Sequence, residues 1–216
     1  MAGARDFDNR QTHIRTDPFG RVITTLAGVG GEAQLPASLG SKPAAQSISI
    51  TPASDALFTL SPTGFRSQTV VTRPANVTPY TAGDVVGGVI AFANIGPVGG
   101  HVILTTCDLR IDISAVPAGM TSFRLHVYSA TPPSALADNA VWDLPAGDRS
   151  AYIGFIDLGT PADLGSTLFS QVDSINRQSK LGASETALYG YLVTATGFTP
   201  ASNSEAYAPC LRSVAL

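Results

Sequence analysis

Short, largely apolar segments of strand length recur between about residues 68 and 195, and some of them alternate apolar with polar residues. The clearest covers residues 102–113, where apolar side chains at every second position would share one face of a strand. Gly, Pro, Asn or Asp closes each segment. Similar segments lie at 68–72, 85–94, 123–128, 152–158 and 187–195. Regular short strands separated by turn residues predict an all-β fold, an antiparallel β-sandwich of jelly-roll-like form.

One segment of this region is ambiguous. Between residues 164 and 181, Leu164, Leu168, Val172 and Ile175 have helical spacing. The same stretch is rich in Ser, Asp and Asn, which are poor helix formers. We therefore expect a strand that continues the sheet, with a short helix as the alternative.

Residues 1–66 differ in composition from the rest, and we predict that they form an extended N-terminal arm, with the β-sandwich at 67–216. A turn signal at 17–20 precedes a possible short strand at 21–26, and two more short strands are expected within 46–60. Residues 27–45 are rich in Gly, Ala, Pro and Ser and have no period. Such a stretch is a flexible linker in a free monomer, or it is ordered against a neighbouring subunit.

Charged residues make up only 13% of the chain, about half of the usual share near 25%. Either Ser, Thr and Asn cover the surface, or much of the surface is buried against partner chains, where charges are depleted. The net charge is −3 and no basic cluster is present in the sequence, so we expect no nucleic-acid partner. No apolar run approaches the roughly 20 residues that span a bilayer, so we expect no membrane partner.

The sequence contains no pattern typical of catalysis, cofactor binding or metal binding, and we predict none of the three. None of the three histidines, His13, His101 and His126, lies in a metal-binding pattern with a cysteine or a second histidine. The expected position of His126 is the polar, solvent- or interface-facing side of a strand. The two cysteines, Cys107 and Cys210, are expected to be buried free thiols, with a single disulfide as the alternative.

Two groups of residues could still suggest chemistry. Asp108 and Asp112 share a strand face roughly 13 Å apart, too far for a glycosidase pair, and Arg110 between them favours a salt-bridged face. Alternating tyrosines at 152, 189 and 191 could form a sugar-binding platform, although core or interface packing is commoner. Trp142, the only tryptophan, lies in a predicted loop and is a candidate for an interface or a cap.

Several motifs together resemble a family of virion proteins of tailed bacteriophages. They are Thr72-Arg-Pro-Ala-Asn-Val-Thr-Pro-Tyr-Thr-Ala-Gly-Asp-Val-Val86, Ala137-Asp-Asn-Ala-Val-Trp-Asp-Leu-Pro145, and Leu188-Tyr-Gly-Tyr-Leu-Val-Thr194 with Gly197-Phe-Thr-Pro200. The resemblance covers roughly residues 68–210 and implies a structural role, that of a head decoration (cement) protein or a related minor virion component. It implies no catalytic residues, a location on the capsid exterior and synthesis in the cytoplasm of a host bacterium.

This resemblance also implies partners, namely the major capsid protein and further copies of the same chain, with a trimer favoured over a dimer. An extended arm suits a clamp, because weak contacts sum over a long path and repetition multiplies them. The predicted interface residues are mostly in the arm: Arg5, Arg10, Arg15, Phe19, Arg21, Leu35, Leu39 and Trp142. Two alternatives remain, a tail, neck or receptor-binding (adhesin) module and a polysaccharide-degrading enzyme.

Overall fold

The computed structural model describes residues 63–216 in full and, before them, only the backbone of two short strands. These are β1 (Arg15–Thr16) and β2 (Val22–Ile23), which pair antiparallel, and β2 falls within the predicted strand at 21–26. The chain divides into two units, residues 1–58 and 59–216. The strands predicted within 46–60 lie outside the described residues.

Every regular element within residues 63–216 is a strand. The strands are β3 (Gly64–Gln68), β4 (Val71–Thr72), β5 (Val85–Phe92), β6 (His101–Ile111), β7 (Phe123–Tyr128), β8 (Tyr152–Asp157), β9 (Ala162–Asp163), β10 (Leu168–Val172), β11 (Arg177–Lys180), β12 (Leu188–Thr194) and β13 (Ala206–Ala215). The ambiguous segment 164–181 contains β10 and β11, so the strand prediction is confirmed and the helix alternative is wrong.

These strands form two antiparallel sheets. The first sheet has the order β3–β13–β6–β10–β9, with β4 also on β13 and β11 also on β6; the second has the order β5–β12–β7–β8. If β3 with β4 and β10 with β11 are each counted as one interrupted strand, and the two-residue β9 is left out of the count, each sheet has four strands. Consecutive strands then alternate between the sheets, apart from the β7–β8 pair. This strand order is that of a jelly roll, and the predicted fold class is confirmed.

Side chains from both sheets meet in one apolar core. In β6 the alternation predicted from the sequence is observed, since Cys107, Leu109 and Ile111 are fully buried; Ile113, just after the strand, is 6% exposed. The same cluster includes Phe92 of β5 and residues of β7, β12 and β13. Because each sheet contributes one apolar face, burial of these faces drives the sheets together.

The last strand, β13, was not predicted from the sequence, although it lies in the middle of the first sheet. Its sequence contains Pro209, which cannot donate to a ladder and normally argues against a central strand. The backbone carbonyl of Pro209 accepts a hydrogen bond from Thr69 N at 3.2 Å, so the proline nitrogen faces the same neighbour. That neighbour is interrupted there, between the end of β3 and the start of β4. The missing donor therefore falls where the partner strand is broken.

The predicted domain boundary at residue 66 falls within β3, because Gly64–Gln68 is already paired with β13. The division of the chain into an arm and a β-domain at that residue stays a prediction.

Candidate interaction surface

The outer face of the second sheet carries three rows of side chains. All of them are apolar or aromatic except Arg124 and Asp157. The rows follow from the strand register. They are Ala91, Tyr189, Tyr128 and Tyr152; then Val89, Tyr191, His126 and Phe155; then Val85, Val193, Arg124 and Asp157. The inner face of this sheet already packs on the core, so both of its faces are largely apolar.

The long β7–β8 connection, residues 129–151, crosses this face and is called the strap below. It begins at β7, reaches the opposite edge of the sheet and pairs there with the start of β5. Asn139 N donates to Val85 O, Val85 N donates to Ala140 O, and Trp142 N donates to Gly83 O, each at 2.8 Å. The strap then returns to β8. It covers a second, smaller apolar cluster on the outside of the sheet.

Trp142 is the side chain of the strap that lies against the centre of the face. Its ring centroid is 3.7 Å from that of His126, and its Nε1 donates to the Tyr128 hydroxyl at 3.2 Å. As a result His126 is only 5% exposed. The prediction that His126 faces solvent or an interface is wrong, because the strap covers a strand face that would otherwise be open. The prediction of Trp142 as a cap is confirmed, while its role in an interface stays a prediction.

His126 is an uncharged member of an aromatic cluster at neutral pH. Burial, and then the charge of Arg124, lowers the pKa of the imidazole from 6.5 to about 4. Its Nδ1 lies 3.0 Å from the Tyr152 hydroxyl, and the Phe155 ring is 5.6 Å away between centroids. Burial also raises the pKa of Tyr128 to about 12, so that hydroxyl stays protonated.

The motif at 72–86 connects the core to the strap. Arg73 is 2% exposed; its Nε donates to the Tyr80 hydroxyl at 2.5 Å, and its guanidinium lies 4.7 Å from the centroid of that ring. The Tyr80 hydroxyl in turn donates to Asp138 Oδ1 of the strap at 2.6 Å, and Gly87 N donates to the same oxygen at 2.7 Å. Burial and the bond to Asp138 raise the pKa of Tyr80. Arg73 and Tyr80 of this motif therefore hold the strap to the rest of the domain.

Part of the strapped face stays open to solvent. Val89 is 46% exposed, Val141 67% and Phe155 45%. At the rim, the Arg124 guanidinium lies 5.4 Å from the Phe155 ring centroid and 3.8 Å from Asp157 Oδ2. An apolar surface with aromatic groups and an Arg at its rim has the composition of a protein contact site.

The outer face of the first sheet carries an ion-pair cluster around Asp108. Asp108 is 1% exposed, and its carboxylate lies 3.6 Å from Arg110 Nη2 and 3.4 Å from Arg212 Nη2. The predicted pairing of Asp108 with Arg110 is confirmed, whereas Asp112 is exposed. Arg212 was not foreseen, because it comes from β13, the strand that the sequence did not reveal.

Both cysteines are free and buried, which confirms the prediction. Cys107 belongs to the core cluster between the sheets, and burial raises the pKa of its thiol and that of Cys210. The cross-strand partner of Cys107 on β13 is Leu211, which belongs to the same core cluster. Neighbouring positions of a strand face opposite sides, so Cys210 faces away from Cys107.

Of the predicted interface residues, only Trp142 lies within residues 63–216. The others, Arg5, Arg10, Phe19, Arg21, Leu35 and Leu39, lie outside the described residues, and Arg15 is described only by its backbone in β1. In the fully described range no three His, Cys, Asp or Glu side chains form a possible metal site, and no helix there could cross a membrane.

No model of a known protein family matches the chain, and no curated protein sequence matches it either. Among solved structures, the chain is similar to one from mud crab dicistrovirus, with 15% identity over 98% of this chain and 91% of that chain, at a TM-score of 0.32. A chain of mud crab tombus-like virus gives 11% identity, 87% and 94% coverage and a TM-score of 0.27. A chain from the empty head of turnip yellow mosaic virus gives 13% identity over 79% of this chain and 91% of that chain, at a TM-score of 0.27. Identities and TM-scores this low do not establish a common fold or function, so the fold assignment rests on the strand order.

Proposed function

We propose that this chain is a structural protein of a virus particle, which decorates and stabilises the capsid of a tailed phage. In this role it bridges neighbouring major capsid subunits on the capsid exterior, with contacts from residues 1–66 and from the β-sandwich. The observation that carries the proposal is the eight-stranded jelly roll, a fold used by viral capsid proteins as well as by lectins and cupins.

Two further features support a structural role. The space between the sheets is filled by aliphatic and aromatic side chains, which favours a function carried by outer surfaces. The motif with the greatest resemblance to phage virion proteins, residues 72–86, ties the strap to the core through Arg73, Tyr80 and Asp138. A rigid module of this kind suits a protein that must hold other subunits at fixed positions. That the chain has no enzymatic activity and no nucleic-acid partner stays a prediction.

Binding to shells that lack this chain tests the proposal. Purified full-length protein should bind such shells and raise the temperature at which they break open. If the arm makes the contact, the double change Leu35→Asp and Leu39→Asp should weaken binding by at least about tenfold, or 1.4 kcal/mol. The matched control is Val98→Asp, since Val98 is 64% exposed in the β5–β6 connection. Wild-type protein that does not bind would contradict the proposal.

A receptor-binding module of the tail or neck is the second candidate, favoured by the open aromatic part of the strapped face. Phe155 is exposed and Trp142 is half-buried beside it around His126. On a glycan array, this candidate predicts binding that Phe155→Ala and Trp142→Ala both abolish while Val98→Ala retains it. Thermal unfolding of each variant shows whether a loss follows from unfolding instead. No binding to any glycan or host surface would remove this candidate.

A further inference from the structure

The strap begins and ends at the same place on the sheet, where a hydrogen-bonded pair closes its base. Ser129 N donates to Ala151 O at 2.8 Å, and Ser129 Oγ donates to the same oxygen at 3.2 Å. The ladder between β7 and β8 continues directly from this pair, with Tyr128 opposite Tyr152. A surface loop whose ends meet in this way can leave the face that it covers while its base and the two strands stay paired.

The strap also has hydrogen bonds of its own, which do not involve the sheet. Ser134 N donates to Asp148 Oδ1 at 3.2 Å, and Asp148 N donates to Pro145 O at 3.0 Å. Asp148 is only 1% exposed. These bonds join the two arms of the strap to each other, so they persist when the strap moves as a unit.

The strap packs on an apolar cluster that is separate from the core between the sheets. Val85, Tyr128, Tyr191 and Val193 form the buried part of this outer cluster, whereas the inter-sheet core is built from other side chains. Removal of the strap therefore uncovers the outer cluster without opening a cavity between the sheets. Opening of such a local unit requires less free energy than unfolding of the whole domain.

Two groups of contacts hold the strap on the sheet. At the edge are the backbone bonds of residues 139–142 to the start of β5, together with the Asp138 carboxylate, which accepts from Tyr80 and Gly87. At the centre the Trp142 ring lies on His126, with 3.7 Å between the ring centroids. The central contact therefore depends on a side chain that gains a charge in acid.

The surroundings of His126 favour its neutral form as long as the strap is closed. The titratable and charged groups of the elements packed around it are Arg124 and Tyr128 of β7, Tyr152 and Asp157 of β8, Tyr191 of β12, and Asp143 and Asp148 of the strap. Asp157 is paired with Arg124 at 3.8 Å, and within residues 63–216 no carboxylate is bonded to the imidazole. Burial, and then the charge of Arg124, lowers the pKa of His126 to about 4.

Opening of the strap reverses the main cause of this shift. Without Trp142 above it, His126 lies on an open strand face, and its pKa returns towards the ordinary value of 6.5. Above pH 6.5 the imidazole is neutral in both the closed and the open form, so pH has no effect on opening. As pH falls from 6.5 towards about 4, only the open form binds the proton, and the equilibrium constant for opening rises by up to about tenfold per pH unit.

We propose that the strap is an acid-sensitive cover, which leaves the outer face of the second sheet when His126 takes up a proton while the two sheets stay folded. Opening joins the aromatic side chains of the outer cluster to Val89 and Phe155, which are already exposed. The result is a continuous apolar face, the kind of surface that binds another protein. The proposal concerns the chain alone and does not depend on the proposed shell-binding role.

Amide hydrogen exchange of the full-length protein, followed by NMR, tests this opening. The N–H groups of Val85, Asn139 and Trp142 form the bonds between strap and sheet, each at 2.8 Å. Their protection, corrected for the intrinsic effect of pH on exchange, should fall together by about a hundredfold between pH 6.5 and 4.5. Low concentrations of urea should hardly change it, because local opening exposes little surface.

The reference amide is that of Leu158, which donates to Phe123 O at 2.9 Å within the β7–β8 ladder. It should be better protected than the strap amides at every pH, and urea should accelerate its exchange steeply, because only unfolding of the domain exposes it. Strap amides with the same protection and the same urea dependence as Leu158 would overturn the proposal, since the strap would then leave the sheet only on unfolding.

Variants at two histidines test the assignment to His126. In His126→Gln the protection of the strap amides should change by less than about threefold over the same pH range, because the titrating group is gone. The matched control is His101→Gln, at an exposed position of β6, which should behave as wild type. A pH dependence in His126→Gln as steep as that of wild type would overturn the proposal. Shell binding is measured separately, so none of these results bears on it.

Discussion

Within residues 63–216, the fold opposes protonation of His126. It is enclosed by Trp142, Tyr152 and Phe155 with Arg124 on the same strand face, and no carboxylate is bonded to it. Attraction between an imidazolium and the aromatic faces would return about 0.5–2 kcal/mol. That gain offsets only part of the cost of burying the charge, so the pKa of the imidazole stays low.

This depressed pKa makes stability depend on pH. Well above pH 6.5 the imidazole is neutral in both the folded and the unfolded protein. As pH falls from 6.5 towards about 4, the unfolded protein binds the proton while the folded protein does not. The free energy of unfolding should therefore fall across this interval by up to about 3 kcal/mol. Urea unfolding at several pH values measures it. His126→Gln should remove most of this slope, whereas His101→Gln, at an exposed position, should retain it; identical slopes in both variants would refute the role given to His126.

Arg73 is a second single residue on which several contacts depend. Its buried guanidinium bonds the loop at residues 76–78 directly and the strap through Tyr80. Arg73→Ala should lower the free energy of unfolding by about 3 kcal/mol, since it removes the Tyr80 contact and leaves the carbonyls of Asn76 and Thr78 with one donor fewer. Chemical denaturation measures the change. Arg149→Ala is the control, since Arg149 is exposed and makes one long bond to Leu144 O. Equal effects of the two variants would contradict this account.

At the scale of elements, sequence patterns predict strands well where one face is buried and the other is open. Residues 102–113 and 123–128 alternate, residues 85–94 form an apolar run, and each of the three contains a strand in the expected place. The pattern fails for β13, because Pro209 marks it as a non-strand and only the interrupted partner makes the proline tolerable. It fails for His126 as well, because a polar residue in an alternating strand gives no sign that a loop will cover it.

The strap shows the same limit for the candidate site. Trp142 could be selected from the sequence because a lone tryptophan in a loop needs an apolar partner. The residues that Trp142 contacts could not be predicted from the sequence, because the pairing of residues 139–142 with the start of β5 joins segments more than fifty residues apart. The ion-pair cluster around Asp108 depends in the same way on β13, which supplies Arg212.

Close contact between β4 and β5 is a second property of elements that can be tested. Gly87 has a φ of 79°, and a Cβ added there would lie 1.9 Å from Val71 Cγ1. Gly87→Ala should lower the free energy of unfolding by about 2–4 kcal/mol, through both the strained backbone and the clash. Gly147→Ala is the matched control, since its added Cβ would meet nothing within 4 Å. Calorimetry compares the two, and a Gly87→Ala protein as stable as the control would show that the strands can separate without penalty.

The two outer faces of the jelly roll expose different groups. The second sheet is covered by its own strap, and only the rim with Val89, Val141 and Phe155 is open. The first sheet presents ion pairs around Asp108. In the proposed function, residues 1–66 and the open surfaces of the β-sandwich contact the shell.

The position of this chain in a virus particle decides whether it decorates a capsid. A cryo-EM reconstruction of particles that contain it should show the jelly roll on the capsid exterior, across the junctions of the major capsid subunits. Its copy number should be comparable to that of those subunits. Particles in which the chain is missing, or in which it is found only in the tail or neck, would contradict a capsid-decorating role.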